Sequence, residues 1–141
     1  MNAARIRLST LLRLGSPQII RLLAEEAARA ANAADAPLST SADEYEAFIA
    51  RLVPRALDAV GADDRERASM LASLAQANTG VPIRPVPPVA RVGLLSIGLR
   101  VSREHIERTM SGTPEAASIL AEFDVFARDL RAAAAPLAAR S

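Results

Sequence analysis

Residues 89–100 read VARVGLLSIGLR, and this stretch decides the class of fold. Its apolar residues recur at helical spacing, which predicts a buried α-helix. The residues concerned are Val89, Val92, Leu94, Leu95, Ile97 and Leu99. Because this is the most hydrophobic of the predicted helices, we expect it to lie near the centre of the fold. In the rest of the chain, alanine and leucine are the most common apolar residues, and runs of aromatic or β-branched residues are few. This composition favours helix over strand.

The N-terminal third contains signals for two short helices. Gly15 is a typical helix stop, and Ser16 followed by Pro17 is a typical helix start, with an N-cap oxygen and then a residue without an amide hydrogen. A first helix is therefore predicted up to Leu14. A second helix is predicted from Pro17 to about Ala34.

The middle of the chain predicts two further helices. The sequence Ser41-Ala42-Asp43-Glu44 is a capping box for a helix that Gly61 ends. Pro54 lies inside this helix and is expected to kink it or to end its first half. Asp63 or Asp64 is expected to cap the next helix.

Four prolines between residues 79 and 88 predict a stiff, extended connection before the central helix. Gly112 is expected to end that helix, and Thr113-Pro114-Glu115 to begin the last one. The predicted fold is an all-α, single-domain bundle of five to six helices with one proline-rich connection, residues 79–88. The predicted domain spans residues 1–135, and a frayed C-terminal tail spans residues 136–141.

The composition argues against catalysis and metal binding. The chain has no cysteine, no tryptophan and no lysine, and its single histidine and single tyrosine are His105 and Tyr45. Most catalytic sites use a histidine, a thiolate, an amine or converging carboxylates. The prediction is that the protein is not an enzyme and has no catalytic residue, cofactor or metal ligand. The net charge of +1 argues against a nucleic-acid partner. The chain has no apolar stretch long enough for a transmembrane segment. The lack of cysteine fits a cytoplasmic location.

Three basic side chains are candidate ligand or anion contacts: Arg91, Arg100 and His105. The two arginines flank the apolar segment, and solvent exposure is the default interpretation for both. His105 lies in a charged stretch with no second ligand or catalytic partner on its helix face. It is therefore predicted to be a surface or boundary histidine.

The central helix also carries a candidate interface, formed by Gly93, Leu94, Ile97 and Gly98. Glycine inside a helix costs about 1 kcal/mol relative to alanine, so a packing reason is expected. Close approach of a neighbouring helix supplies that reason. The neighbour lies either within the bundle or across a dimer interface, and the sequence leaves both alternatives open.

The residues Leu14-Gly15-Ser16-Pro17, between two short predicted helices, are compatible with a helix-turn-helix. The second helix argues against DNA binding because it carries Glu25 and Glu26 and little other polar surface. DNA binding through the N-terminal helices stays an alternative.

One segment resembles a known family. Gly80-Val81-Pro82-Ile83, followed by Arg91 and Gly93, resembles the Gly-Val-Pro-Leu … Arg-x-Gly pattern of a helical regulatory domain. That domain lies at the N-terminus of RsbRD-type stressosome proteins and PucR-like transcription regulators. The resemblance implies a sensory or regulatory module that relays a signal through association. It assigns no ligand residues here, and the chain lacks the family's aromatic at Ala90 and the tryptophan after Gly93.

The sequence thus predicts a non-enzymatic helical regulatory or interaction module. We expect it to associate with itself, as a homodimer or other homo-oligomer, or with a protein partner. The alternative from a different class is a helical bundle that binds a small apolar molecule or a lipid. Abundant alanine and leucine with few large aromatics can leave an apolar pocket.

Overall fold

The computed structural model describes residues 3–33, 42–76 and 88–139, and in these ranges the chain is an all-α bundle without a strand. The predicted fold class is confirmed. The five helices are α1 (Ala3–Ala33), α2 (Ala42–Gly61), α3 (Asp64–Gln76), α4 (Pro88–Met110) and α5 (Ala116–Ala139). The capping box at Ser41 and residues 79–87 of the proline-rich connection lie outside the described residues. None of the helices in these ranges is long and apolar enough to cross a membrane.

Helix α1 is continuous through Gly15 and Pro17, so the predicted division into two helices is wrong. Pro17 has no amide hydrogen to donate to the carbonyl of Arg13, four residues earlier. The Ser16 hydroxyl donates to that carbonyl instead, over 3.0 Å. This bond replaces the missing one, and the turn on which the helix-turn-helix interpretation depends does not form.

The other helix ends follow the local signals closely. Helix α2 continues through Pro54 and ends at Gly61, so this proline does not end the helix. Asp63 caps α3, because its side-chain oxygen accepts a hydrogen bond of 2.8 Å from the amide of Glu66. After α4, Gly112 adopts a φ of +79°, a left-handed conformation that glycine adopts without strain.

Helix α1, rather than α4, lies at the centre of the bundle. It packs against α2, α4 and α5, whereas α4 packs extensively only against α1 and α5. Small residues let the neighbours approach α1, and Ala24 and Ala27 are almost fully buried. The outer face of α4 is charged along Arg100, Glu104 and Glu107, which keeps that helix at the surface.

Two apolar clusters form the core. The larger one joins all five helices around residues such as Leu12, Leu57 and Phe123. The smaller one joins the second half of α1 to α2 and α4 through residues that are buried in the structure. Its members are Leu23, Ala24, Ala27, Ile49 and Leu94.

A buried arginine joins α2, α3 and α5. Only 1% of Arg67 is exposed. Its guanidinium donates to the carbonyls of Ala59 and Val60 at the end of α2, at 3.1 and 2.9 Å. The Ala59 carbonyl also accepts a hydrogen bond of 3.3 Å from the amide of Ala62. The same group lies 5.4 Å from the centre of the Phe126 ring, within cation–π distance.

Carboxylates of α5 balance this charge. Glu122 lies 3.6 Å from the Arg67 guanidinium and accepts a hydrogen bond of 2.7 Å from Arg5 of α1. Arg5 also donates to the Ala62 carbonyl, and Asp129 lies 3.5 Å from Arg67. The network therefore ties α1, α3 and α5 to the end of α2.

Helix α5 extends through Pro136 to Ala139. The predicted boundary between a domain of residues 1–135 and a tail of residues 136–141 stays a prediction.

Candidate functional site

Residues of all five helices line an apolar cavity of about 120 Å³ that is partly open to solvent. It lies where the two clusters of the core meet, because residues of both clusters line it. The lining consists of Leu12, Ile19, Leu23, Ile49, Leu52, Val53, Ala56, Leu57, Val60, Leu74, Leu94, Leu95, Gly98, Leu99, Ser102, Phe123, Phe126 and Leu130.

Helices α2 and α4 form the side of the cavity nearest to solvent. The half-buried lining residues all belong to these two helices, and the lining residues from α1, α3 and α5 are all buried. The half-buried residues are Leu52, Val53, Ala56, Leu95, Gly98 and Ser102. The three residues from α2 recur at helical spacing, and so do the three from α4, so one face of each helix points to the cavity. Within the described residues, a ligand has its shortest route to the cavity between α2 and α4.

Small residues in the lining explain why a space remains. Ala56 and Gly98 face the cavity where larger side chains would fill it. A Cβ atom on Gly98 would lie 3.4 Å from a methyl carbon of Leu23, an ordinary contact distance. A glycine is therefore not required at position 98 for α4 to pack against α1.

The chemistry of the lining is almost wholly hydrocarbon. Ser102 has the one polar side chain among the lining residues, and no ionisable group is among them. Within the described parts of the chain, its hydroxyl makes no hydrogen bond. The three buried polar or charged residues, Arg67, His105 and Glu122, all lie outside the lining.

His105 is buried, with 9% of its surface exposed, so of the two predicted positions, surface or boundary, the surface position is wrong. It faces α1 at Gly15, where a Cβ atom would lie 2.2 Å from its Nε2. Burial lowers the pKa of the imidazole, and the positive charge of Arg108 lowers the pKa further. Gly15 was the signal in the sequence for this burial, because a residue without a side chain leaves room for the imidazole ring.

The two candidate arginines differ in what the structure shows. Arg100 is exposed and forms ion pairs with Glu26 at 3.1 Å and Glu104 at 3.6 Å. Its hydrogen bond holds the pKa of Glu26 below the usual value. Arg91 lies near the start of α4, and its side chain is outside the described residues. Neither Arg100 nor His105 lines the cavity.

The four residues of the candidate interface do not share one environment. Leu94 is buried and Ile97 packs against both core clusters. Gly98 contacts Leu23 of the same chain. Gly93 is exposed, and no atom of the described residues lies within 4 Å of the place where its Cβ would be. Of the four, Gly93 alone offers a free surface.

A second pocket lies between α4 and α5, and its lining includes the charged residues Arg100, Arg103, Glu104, Glu107, Asp124 and Arg131. Residues 3–33, 42–76 and 88–139 contain no group of three or more histidine, aspartate or glutamate side chains that could hold a metal ion. Where acidic residues come together, they share an arginine, as Glu122 and Asp129 do at Arg67 and Glu107 and Asp124 do at Arg103.

The sequence allowed an apolar pocket, as the alternative to an interaction module, but gave neither its position nor its lining. The buried Arg67 was not predicted. A signal for Arg67 was present, because it precedes Leu71 and Leu74 by four and seven residues and so lies on the buried face of α3. The cavity has no comparable signal. It is the space left where five helices meet.

No family model, curated protein or solved structure matches this chain. The resemblance to the RsbRD-type and PucR-like regulatory domain therefore stays a prediction. Its motif residues 80–83 lie outside the described part of the chain, and Arg91 and Gly93 lie near the start of α4.

Proposed function

We propose that this protein is a non-enzymatic helical module that binds a small apolar molecule in the cavity of its bundle. The cavity of about 120 Å³, with its hydrocarbon lining, is the observation that carries the proposal. Ligand pockets are mostly apolar and contain few polar groups, and this lining has that composition.

Physical precedent supports a ligand rather than water in this space. Water needs two to four polar partners, and Ser102 offers one hydroxyl. An engineered cavity of about 150 Å³ lined by leucine, isoleucine and phenylalanine stays dry and binds benzene or xenon. A space of this kind gains dispersion contacts when a compact apolar molecule enters it.

The experiment is a thermal melt and an NMR titration of the full chain with toluene. A ligand at ten times its Kd stabilises the native state by about 1.4 kcal/mol. For a chain of this size we expect the melting temperature to rise by roughly 3–6 °C.

A pair of variants on α2 locates the binding site. Ala56→Leu adds three carbon atoms to a residue that lines the cavity, and we expect it to weaken toluene binding more than tenfold. Ala50→Leu makes the same change at an exposed position of the same helix and should leave the affinity unchanged. Toluene that binds both variants equally, or that does not bind the wild type, would contradict the proposal.

A second candidate function is self-association of a regulatory module through the outer face of α4. The exposed Gly93 favours it, because no contact within the described chain offsets the cost of about 1 kcal/mol of a glycine inside a helix. In native mass spectra, Gly93→Arg should convert a dimer to a monomer. Ala68→Arg, on the exposed side of α3, should leave the dimer intact. A monomeric wild type would remove this candidate.

A further inference from the structure

We infer that the ligand is a neutral, compact molecule, about the size of benzene or toluene, with one polar atom that hydrogen-bonds to Ser102. This inference rests on the proposed function and specifies the chemical class of the ligand. Three observations carry it: the charge of the lining, its volume, and the single hydroxyl.

The lining excludes a charged ligand. Within residues 3–33, 42–76 and 88–139, no arginine, histidine or acidic side chain lines the cavity, so the charge of a bound carboxylate or ammonium would have no partner there. Burying an unpaired charge costs far more than a hydrocarbon contact returns. The buried cation Arg67 does not change this, because two backbone carbonyls and the carboxylates of α5 already surround it.

The volume excludes a long chain. The cavity is slightly smaller than the space that accommodates benzene in an engineered protein. A long-chain fatty acid has several times the volume of benzene and a charged head group. A membrane lipid, which the sequence allowed as a ligand, is therefore excluded from this cavity in the same way.

Ser102 supplies the specificity. It lies on the half-buried face of α4, next to the solvent-facing side of the cavity, and its hydroxyl can donate or accept a hydrogen bond. In a hydrocarbon lining this one group fixes where the polar atom of a ligand must point. An alcohol, a phenol or a ketone satisfies it, and a pure hydrocarbon does not.

The test compares three probes of similar size at neutral pH: toluene, phenol and benzoate. Isothermal titration of the full chain gives the affinity of each for the wild type, Ser102→Ala and Ser96→Ala. Ser96 is the matched control, because it is an exposed serine on the same helix. Both variants should fold, because alanine is the best helix former.

We expect the wild type to bind toluene and phenol but not benzoate. Ser102→Ala should lower the ratio of phenol affinity to toluene affinity about fivefold, the effect of one hydrogen bond. Ser96→Ala should leave the ratio unchanged.

The remaining outcomes separate the inference from the proposed function. An unchanged ratio in Ser102→Ala, with toluene still bound, overturns the role of the hydroxyl and leaves apolar binding in place. Benzoate binding as tight as toluene binding overturns the neutral class. A wild type that binds neither toluene nor phenol overturns the inference and the proposed function together.

Discussion

At the scale of the residue, the contact between Gly15 and His105 determines how closely α1 and α4 approach each other. The imidazole occupies the position in which any other residue at 15 would place its Cβ. Three ring atoms lie within 3.0 Å of that position. A buried ring cannot swing away from such a clash as an exposed side chain would.

The first prediction compares the same substitution at two glycines. At Gly15, alanine gains about 1 kcal/mol of helix propensity but overpacks the contact at a cost of about 3 kcal/mol, so we expect a net loss of about 2 kcal/mol in the free energy of unfolding. Gly93→Ala meets open space and should raise that free energy by about 1 kcal/mol. Urea unfolding of both variants measures the difference. Equal effects would show that the ring does not constrain position 15.

The second prediction concerns acid. Burial holds the pKa of His105 below its ordinary value of 6.5 in the folded state. Between the two pKa values the unfolded chain binds more protons, so stability is complete above pH 6.5 and falls as the pH drops through this window. His105→Gln should remove the decrease that begins as the pH falls below 6.5, because the chain has no other histidine. A variant whose stability decreases as steeply as that of the wild type would contradict this explanation.

At the scale of the element, Arg67 holds the end of α2 against α3 and α5. Its two hydrogen bonds to backbone carbonyls do what a C-terminal cap does, but from a different helix. The pairing with Glu122 lets the charge remain buried. The placement of α2, α3 and α5 relative to one another therefore depends on the side chain of Arg67.

The third prediction tests this dependence. Arg67→Met retains a long side chain but removes the hydrogen bonds to the carbonyls of Ala59 and Val60 and leaves part of the negative charge of α5 unpaired. We expect it to lower the free energy of unfolding by about 3 kcal/mol, as measured by urea unfolding. Arg65→Met, an exposed arginine of the same helix, should change it by less than about 0.5 kcal/mol. Similar losses in both variants would show that Arg67 has no special role.

Some helix boundaries could be predicted from the sequence, and others could not. Helix ends at Gly61, Asp63 and Gly112 were predictable because each is set by a local hydrogen bond or a local backbone conformation. The continuity of α1 was not predictable from the sequence. Ser16 before Pro17 can act as an N-cap, or its hydroxyl can donate to the Arg13 carbonyl in place of the amide hydrogen that Pro17 lacks. The choice between the two depends on packing.

The site was less predictable than the helices. Gly98 was expected to permit close approach, but a Cβ there would meet Leu23 only at the ordinary contact distance of 3.4 Å. The sequence proposed Arg100 and His105 as ligand contacts, and the structure places both outside the cavity lining. A cavity depends on how five helices fit together, and no single segment carries that information.

At the scale of the whole molecule, the two core clusters differ in size, and α1 runs past both of them. Among the described residues, the smaller cluster has five buried members and the larger has sixteen. Local opening requires less energy where fewer apolar contacts must break. The part of the bundle around Leu23, Ile49 and Leu94 should therefore open first.

The fourth prediction compares amides within one helix. Native-state hydrogen exchange should be faster at residues 23–27 of α1, beside the smaller cluster, than at residues 8–12, beside the larger one. Saturation with toluene should slow the faster group, because the cavity touches both clusters. Uniform exchange along α1 would show that the bundle opens as one unit.

The cavity also makes the fold sensitive to compression. Unfolding removes internal empty space, so pressure favours the unfolded chain in proportion to that space. A void of 120 Å³ in every molecule is about 70 mL per mole, near the upper end of the volume changes that proteins show on unfolding. Under high pressure this bundle should therefore unfold before a bundle of equal stability that has no cavity. A bound ligand would oppose this effect by occupying the cavity.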